Sequence, residues 1–465
     1  MKVEQLYTNC LAQAAYYIES EGEIAIIDPL RDYQMYIDKA NSNGAKIKYI
    51  FETHFHADFV SGHIDLANKT GATIVYGPTT TTSYKVHVAN DNEILSLGKL
   101  KIKVLHTPGH TLESSSYLLI DENGKDYCVF TGDTLFVGDV GRPDLLDGII
   151  TKEELAAKMF NSLNTKIKTL ADDVIVYPAH GPGSACGKNI GKETFSTIGE
   201  QKRSNYALQP MSEADFIKAV TEGITPAPAY FFKDAQLNKQ GYASFEDIID
   251  KGYKPLTVSQ FQQEMEEGAV VVDTRVADFY ELGCIPKSLN FGLNGQYAIW
   301  AATLLDIHEP IIIVAKSETE KESIERLTRV GFDNIKGYLE GGFDAWREAD
   351  KRYDMVISIS SEELVLDNLH NPGAVILDVR KPTEFADGHL ANVINLPLAD
   401  INTKAEELDK NKETLVHCAG GYRSMVAATI LKRKGFTNVK NVWGGWAQIK
   451  LEEKANIVVD NATAK

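Results

Sequence analysis

From residue 53 to residue 63 the chain reads Thr-His-Phe-His-Ala-Asp-Phe-Val-Ser-Gly-His, so that His54, His56 and Asp58 occupy alternate positions. An apolar run, Lys48-Tyr-Ile-Phe51, precedes them and predicts a buried strand. Side chains two apart on a strand point the same way, so two imidazoles and a carboxylate can converge on one metal ion. Donors of the same kind end later strand-like runs. Lys101–Leu105 leads to His106-Thr-Pro-Gly-His110, Tyr127–Phe130 leads to Thr-Gly-Asp133, and Val174–Tyr177 leads to Pro-Ala-His180. Gly and Pro beside each donor mark tight turns that fix side-chain direction. Two histidines and an aspartate can share a loop without a metal, but strand ends that repeatedly deliver His and Asp form a far more specific constellation.

A second set of chemical groups lies near the C-terminus. Thr414-Leu-Val-His417 predicts a strand feeding Cys418-Ala-Gly-Gly-Tyr-Arg423-Ser, followed by a helix from Met425 to Lys434. Backbone N–H groups at a helix N-terminus, together with Arg423, would stabilise an anionic sulfur, the form in which a thiol attacks and carries a persulfide. Gly420 and Gly421 leave room for such a cradle. An inert buried cysteine is the alternative.

Around the first set, Ala14–Ile18 and Glu23–Asp28 predict a strand pair across a Glu-Gly turn, and Asp28-Pro-Leu-Arg-Asp32 opens a helix toward Asn43-Gly44. Asp28 either hydrogen-bonds the metal loop or caps that helix. His63, at the start of the next helix, is expected to be a solvated first-turn residue, and His106 to stand beside the ligands rather than among them. In Gly141-Arg-Pro-Asp144, Arg142 either steers an anionic substrate or pairs with Asp144. His180-Gly-Pro-Gly-Ser-Ala-Cys186 places a thiol six residues from a ligand, either at the site or as a small buried filler. From Gln201 to Lys254 the chain reads as polar and helical, with Pro226–Phe232 as an irregular tether.

Beyond the tether the sequence repeats. Val270-Val-Val-Asp273-Thr-Arg275 matches Val375-Ile-Leu-Asp378-Val-Arg380, and Gly341-Gly342-Phe-Asp-Ala-Trp346 matches Gly444-Gly445-Trp446-Ala. Two copies of one α/β module with parallel strands are expected, giving domains at 1–250, 251–352 and 353–465. In the first copy Ala315 aligns with Cys418, followed by Lys316-Ser-Glu-Thr-Glu, so this loop has neither nucleophile nor glycines. Cys284 stands where the second copy has His389 and is read as structural.

The formal net charge of −17 argues against nucleic acid and anionic membrane surfaces as partners. No stretch is apolar enough to predict a membrane span or a signal peptide. Five scattered cysteines without a Cys-x-x-Cys pair fit reduced thiols, and hence a cytoplasmic location.

The His-x-His-x-Asp run with His110, Asp133 and His180 resembles the metallo-β-lactamase fold, which implies an α/β protein beginning with an αββα sandwich. Phe59 stands where hydrolases of that superfamily place a histidine for a second metal. The Gly-Arg-Pro-Asp run resembles one in persulfide dioxygenases, and Cys-x-x-x-x-Arg with Asp378-Val-Arg380, Glu384-Phe and Gly388-His389 resembles rhodaneses. Across nearly its whole length the chain is similar to bacterial persulfide dioxygenase–rhodanese fusions with an inactive middle module. That resemblance implies one non-haem Fe(II) per chain, held by His54, His110 and Asp133 and oriented by His56, Asp58 and His180. Cys418 and Arg423 would act in sulfur transfer, Cys186 at the dioxygenase site, and Arg142 on the substrate. The partners implied are a low-molecular-weight thiol persulfide, O2, and sulfite leaving as thiosulfate, in a homo-oligomer. The competing readings are a glyoxalase II-like thioester hydrolase and a non-catalytic sulfur carrier.

Overall fold

Alternation along the strands decides how the N-terminal half is layered. In the computed structural model, which describes residues 1–146 and 148–460, two six-stranded sheets face each other. The first has the order β1 (Lys2–Thr8), β2 (Gln13–Ser20), β3 (Glu23–Ile27), β4 (Lys46–Phe51), β5 (Thr73–Tyr76), β6 (His87–Val88). The second contains β7 (Ile94–Leu97), β8 (Leu100–His106), β9 (Ser115–Ile120), β10 (Asp126–Gly132), β11 (Ile175–Pro178) and β12 (Ser196–Thr197), in sequential order across the sheet. Tyr16, Phe51, Tyr117, Leu119 and Phe130 point into the space between the sheets. Their neighbours Leu118 and Val129 point the other way, into a second core with Met159 and Phe216 of the helices Lys152–Ser162 and Glu213–Thr221. The strands are apolar on both faces because both are covered. This is the αββα sandwich of the metallo-β-lactamase fold.

Strand ends gather the candidate ligands. Parallel β10 and β11 pair to their last residues, Gly132 opposite Pro178 after a register shift between Phe130 and Gly132, and Asp133 and His180 emerge from the same end. Bonds from Ala14 N–H to Ala179 O (2.8 Å) and from Gly181 N–H to Ala12 O (3.0 Å) tie the end of β11 to β2. The tether expected at Pro226–Phe232 is only partly irregular. Tyr230 and Phe231 begin a helix, Tyr230–Gln240, and are buried, their rings meeting edge to face at 5.1 Å.

The chain divides into two compact units, Met1–Asp247 with Thr328–Gly331, and Ile248–Leu327 with Phe332–Lys465. The second unit holds two five-stranded, all-parallel sheets of identical order. One is formed by β13 (Pro255–Leu256), β14 (Val270–Asp273), β15 (Leu289–Asn290), β16 (Ile311–Val314) and β17 (Ile335–Leu339), arranged β13-β17-β16-β14-β15. The other is formed by β18 (Ile357–Ile359), β19 (Val375–Asp378), β21 (Ile394–Asn395), β22 (Thr414–His417) and β23 (Val439–Val442), arranged β18-β23-β22-β19-β21. A short pair, β20 (His389–Leu390) with β24 (Ile457–Val458), stands apart. The repeat seen in sequence is thus a repeat of topology, and both modules are rhodanese-like. Among the described residues no helix is long and apolar enough to cross a membrane.

Candidate functional site

The loop after β4 is built before any ligand is considered. Asp28, at the end of β3 with φ 50°, accepts from Thr53 N–H (2.8 Å) and Thr53 Oγ1–H (2.9 Å), and Thr53 Oγ1 lies 3.0 Å from His54 Nδ1. Of the two sequence readings of Asp28, the structure takes the brace on the metal loop. The other histidines are oriented in the same manner. His110 Nδ1–H donates to Arg142 O at 2.8 Å and His180 Nδ1–H to Ala12 O at 3.2 Å. A carbonyl accepts only, so each ring carries a proton on Nδ1 and turns its Nε2 inward.

Those inward atoms meet. The ligand atoms of His54, His110 and Asp133 lie within 4.8 Å of one another, as do those of His56, Asp58 and His180, and of Asp133, His180 and Cys186. His110 Nε2 is 3.3 Å and His54 Nε2 3.9 Å from Asp133 Oδ2, while His180 Nε2 is 3.6 Å from Asp133 Oδ1. His54, His110 and His180 Nε2 and both Asp133 oxygens are buried without a hydrogen-bond partner among the described residues. Buried polar atoms are rarely orphaned, and convergent orphans are what a cation would satisfy. Burial, and then His56, His110 and His180 nearby, hold the His54 pKa well below its usual value, leaving the neutral imidazole that can ligate. The residues therefore fit a metal ion.

His56 differs from the other three. Its Nε2 lies 3.0 Å from Asp28 Oδ1 and 3.6 Å from Glu52 Oε2. Burial pushes its pKa down, but Asp28 and Glu52 outweigh burial and raise it to about 9. Phe59 is fully buried with its ring 4.4 Å from that of His56, and it brings no lone pair to the Asp58–His180 side. Cys186 is buried beside Asp133 and His180. Burial, with Asp58 and Asp133, raises its pKa well above the usual thiol value, so it stands as a protonated thiol.

The expectation for His63 changes, and of the two readings of Arg142 the pairing with Asp144 is seen. His63 is fully buried, not solvated: its Nε2 lies 2.7 Å from Tyr84 Oη and its Nδ1 3.6 Å from Glu52. The Arg142 guanidinium is spent on Asp144 (2.6 and 2.7 Å) and on the carbonyls of Ala185 and Thr225. Its nearest service to the site is the backbone carbonyl that holds His110. Gly141 lets this loop approach, since a Cβ there would lie 2.1 Å from Asp133 O and 2.9 Å from His110 Nδ1. His106 stays outside the clusters, 3.0 Å from Leu112 O. Asn238, in the helix Tyr230–Gln240, was not legible as a site residue. Its Nδ2 donates to His56 O and Phe59 O (2.8 Å each) and its Oδ1 accepts from Ser61 N–H (2.9 Å), clamping the ligand loop.

In the C-terminal module Cys418 follows β22 directly, buried at 1% exposure. Gly421 N–H donates to its Sγ at 3.1 Å, and Ser424 Oγ lies 3.5 Å from it, itself bonded to Asn441 Oδ1 at 2.7 Å. Gly421, Cys418 and Ser424 make a cradle at the start of the helix Tyr422–Arg433. The Arg423 guanidinium is held by Glu384, a partner 39 residues away, both NH groups bonding at 2.7 and 2.8 Å, and its charge also interacts with Cys418. Beneath the loop, Arg380 grips Asp378 (2.6–3.0 Å) and reaches Gly388 O, and Arg275 repeats the arrangement with Asp273 and Gly283 O in the middle module. The scaffold of the two modules is shared; only one has the thiol.

Comparison with known proteins agrees with both halves. The model of the metallo-beta-lactamase superfamily matches residues 8–180, and that of the rhodanese-like domain matches residues 257–349 and 361–452. A metallo-beta-lactamase from Staphylococcus aureus subsp. aureus COL is 32% identical with a TM-score of 0.65, over 73% of this chain and 98% of that chain. ETHE1 from Myxococcus xanthus is 29% identical with a TM-score of 0.45, over 51% of this chain and 98% of that chain. Hydroxyacylglutathione hydrolase of Dictyostelium discoideum is 33% identical over 184 residues, 39% of this chain and 66% of that protein. The chain spans roughly half to two thirds of the length of several curated relatives it matches. It belongs to the metallo-beta-lactamase superfamily, its first domain being followed by two rhodanese-like domains.

Proposed function

We propose that the protein oxidises the persulfide of a low-molecular-weight thiol with O2 and passes the sulfite to thiosulfate through Cys418. The observation that carries this reading is the donor set: two histidines and one carboxylate converge, while Phe59 brings no donor where a second ion would need one. Iron(II) held by His54, His110 and Asp133 would supply the redox chemistry that joins a persulfide sulfur to O2. The chain's part is to fix His54 from behind through Thr53 and His110 through Arg142 O, while Ala12 O holds His180 beside them. Cys186, a protonated thiol, bounds the side next to Asp133 and His180.

In the net oxidation the terminal sulfur gives up the four electrons that reduce O2, water supplies the third oxygen, and the products are thiol, sulfite and protons. At the other site the Cys418 thiolate attacks the sulfane sulfur of a second persulfide, and the thiolate of the carrier leaves with a proton. Sulfite then attacks the sulfur held on Cys418, the S–S bond to the cysteine breaks, and thiosulfate departs. Gly421 N–H and Ser424 face the sulfur that carries negative charge before and after each step.

Thioester hydrolysis is the second reading, favoured by relatives such as hydroxyacylglutathione hydrolase and by the Asp58–His180 pair, 3.4 Å apart. Metal analysis of protein purified without oxygen separates the two. About one iron per chain and no thioesterase activity is the outcome expected of a mononuclear His/His/Asp site; two tightly held zinc ions with glutathione-thioester hydrolysis would overturn it.

A further inference from the structure

The middle module keeps the rhodanese scaffold and lacks the thiol, which leaves its role open. One contact answers it. Tyr422 lies inside the cysteine loop, between Gly421, whose N–H holds Cys418 Sγ, and Arg423. Its hydroxyl leaves the C-terminal module and donates to Gly292 O of the middle module at 3.0 Å. Its ring rests on Gly295, where a Cβ would come within 2.4 Å of Cε2 and 2.7 Å of Cδ2 and Cζ. Any larger residue at 295 would therefore displace the ring.

The seat is rigid. Arg326 donates to Leu293 O at 2.8 Å and to Gly295 O at 3.1 Å, and the backbone N–H groups of Phe291 and Leu293 bond Asp273 O and Thr274 O, both at 3.0 Å. The loop carrying the seat thus hangs from the end of β14, the strand that in the sister module leads to Arg380. The same strand-and-loop segment meets the helix Tyr422–Arg433 again where Asn290 N–H donates to Thr429 Oγ1 at 3.3 Å. Residues of the middle module grip both the first residue and the middle of the helix whose N-terminus makes the cradle.

We infer that the middle module is a built-in clamp for the sulfur-transfer loop, with Tyr422 as the positioning residue and Gly292 and Gly295 as its seat. Tyr422 touches neither substrate nor sulfur. It acts through its chain neighbour Gly421, whose Cα joins the peptide to Tyr422 with the preceding Gly420–Gly421 peptide that carries the N–H meeting Cys418. This deepens, and rests on, the sulfur-transfer reading of Cys418.

The test uses the full-length protein with Tyr422→Phe, Tyr422→Ala, Gly295→Ala and the double variant Tyr422→Ala, Gly295→Ala. Two readouts are taken: steady-state sulfur transfer from persulfide to sulfite, and the rate of Cys418 alkylation by iodoacetamide at fixed pH, followed on the Cys418 peptide by mass spectrometry. Loss of the hydroxyl's bond should lower kcat about three- to tenfold with the donor KM little changed, and slow alkylation in parallel. Gly295→Ala should do at least as much. The double variant should be no worse than Tyr422→Ala alone, because both changes remove one contact. Single variants with wild-type kcat and alkylation rate, or additive losses in the double, would overturn the clamp. Alkylation needs no transferase activity, so a slowed Cys418 in a chain that never transfers sulfur would keep the clamp and sink the sulfur-transfer reading. Tyr422→Phe keeps the ring in place and secures the result if Gly295→Ala does not fold.

Discussion

His110 shows how a single residue is specified from both ends: Nδ1–H donates to Arg142 O, and Nε2 is left 3.3 Å from Asp133 with no hydrogen-bond partner among the described residues. Its replacement should therefore remove a ligand without disturbing the other catalytic core. His110→Ala is expected to lower persulfide-dependent O2 uptake more than about a hundredfold, while thiosulfate–thiol exchange at Cys418 persists; loss of both activities in a chain still folded by circular dichroism would show that the sites are not independent. Asn238 tests the support rather than the ligand. Asn238→Ala strands the buried carbonyls of His56 and Phe59 and the N–H of Ser61. It should cost about 3 kcal/mol of stability in urea unfolding and weaken metal retention, whereas an unchanged midpoint would mean that the loop holds itself.

At the scale of elements, much of the site could be read directly because its donors sit where apolar runs end, and strand alternation then dictates their direction. What escaped was whatever depends on partners distant in sequence. Asn238 reaches His56 across 182 residues. His63 reads as solvated at a helix start until Glu52 and Tyr84 close over it. Arg423 reads from its spacing as a charge beside the sulfur, but the Glu384 that holds it, 39 residues away, does not. The repeat was legible as motifs, Asp273-Thr-Arg275 and Asp378-Val-Arg380, because the buried Asp–Arg pair is an obligatory part of the scaffold. The same comparison predicts that a nucleophile alone does not make a site. The loop after β16 offers Ala315, Lys316 and acidic residues in place of Gly-Gly and Arg, so the double variant Ala315→Cys, Cys418→Ser should show no sulfur transfer above that of Cys418→Ser alone. Robust transfer by that variant would contradict the cradle argument.

At the scale of the whole molecule, the proposed function puts persulfide oxidation and sulfane-sulfur transfer in one chain, and such linkage would raise the effective concentration of the product of one site for the other. Their coupling can be read from oxygen alone. When sulfite simply accumulates, each persulfide consumes one O2. When Cys418 delivers a second persulfide's sulfur to that sulfite, each O2 accounts for two persulfides. The measurement is O2 uptake against limiting persulfide in an oxygen electrode, at short times and low substrate so that direct reaction of sulfite with persulfide stays small. Wild type should consume about half as much O2 per persulfide as Cys418→Ser, with thiosulfate as its product and sulfite as that of the variant, because serine cannot carry a sulfane sulfur. Equal O2 consumption and equal thiosulfate in the two proteins, or no persulfide-dependent uptake in either, would contradict the account.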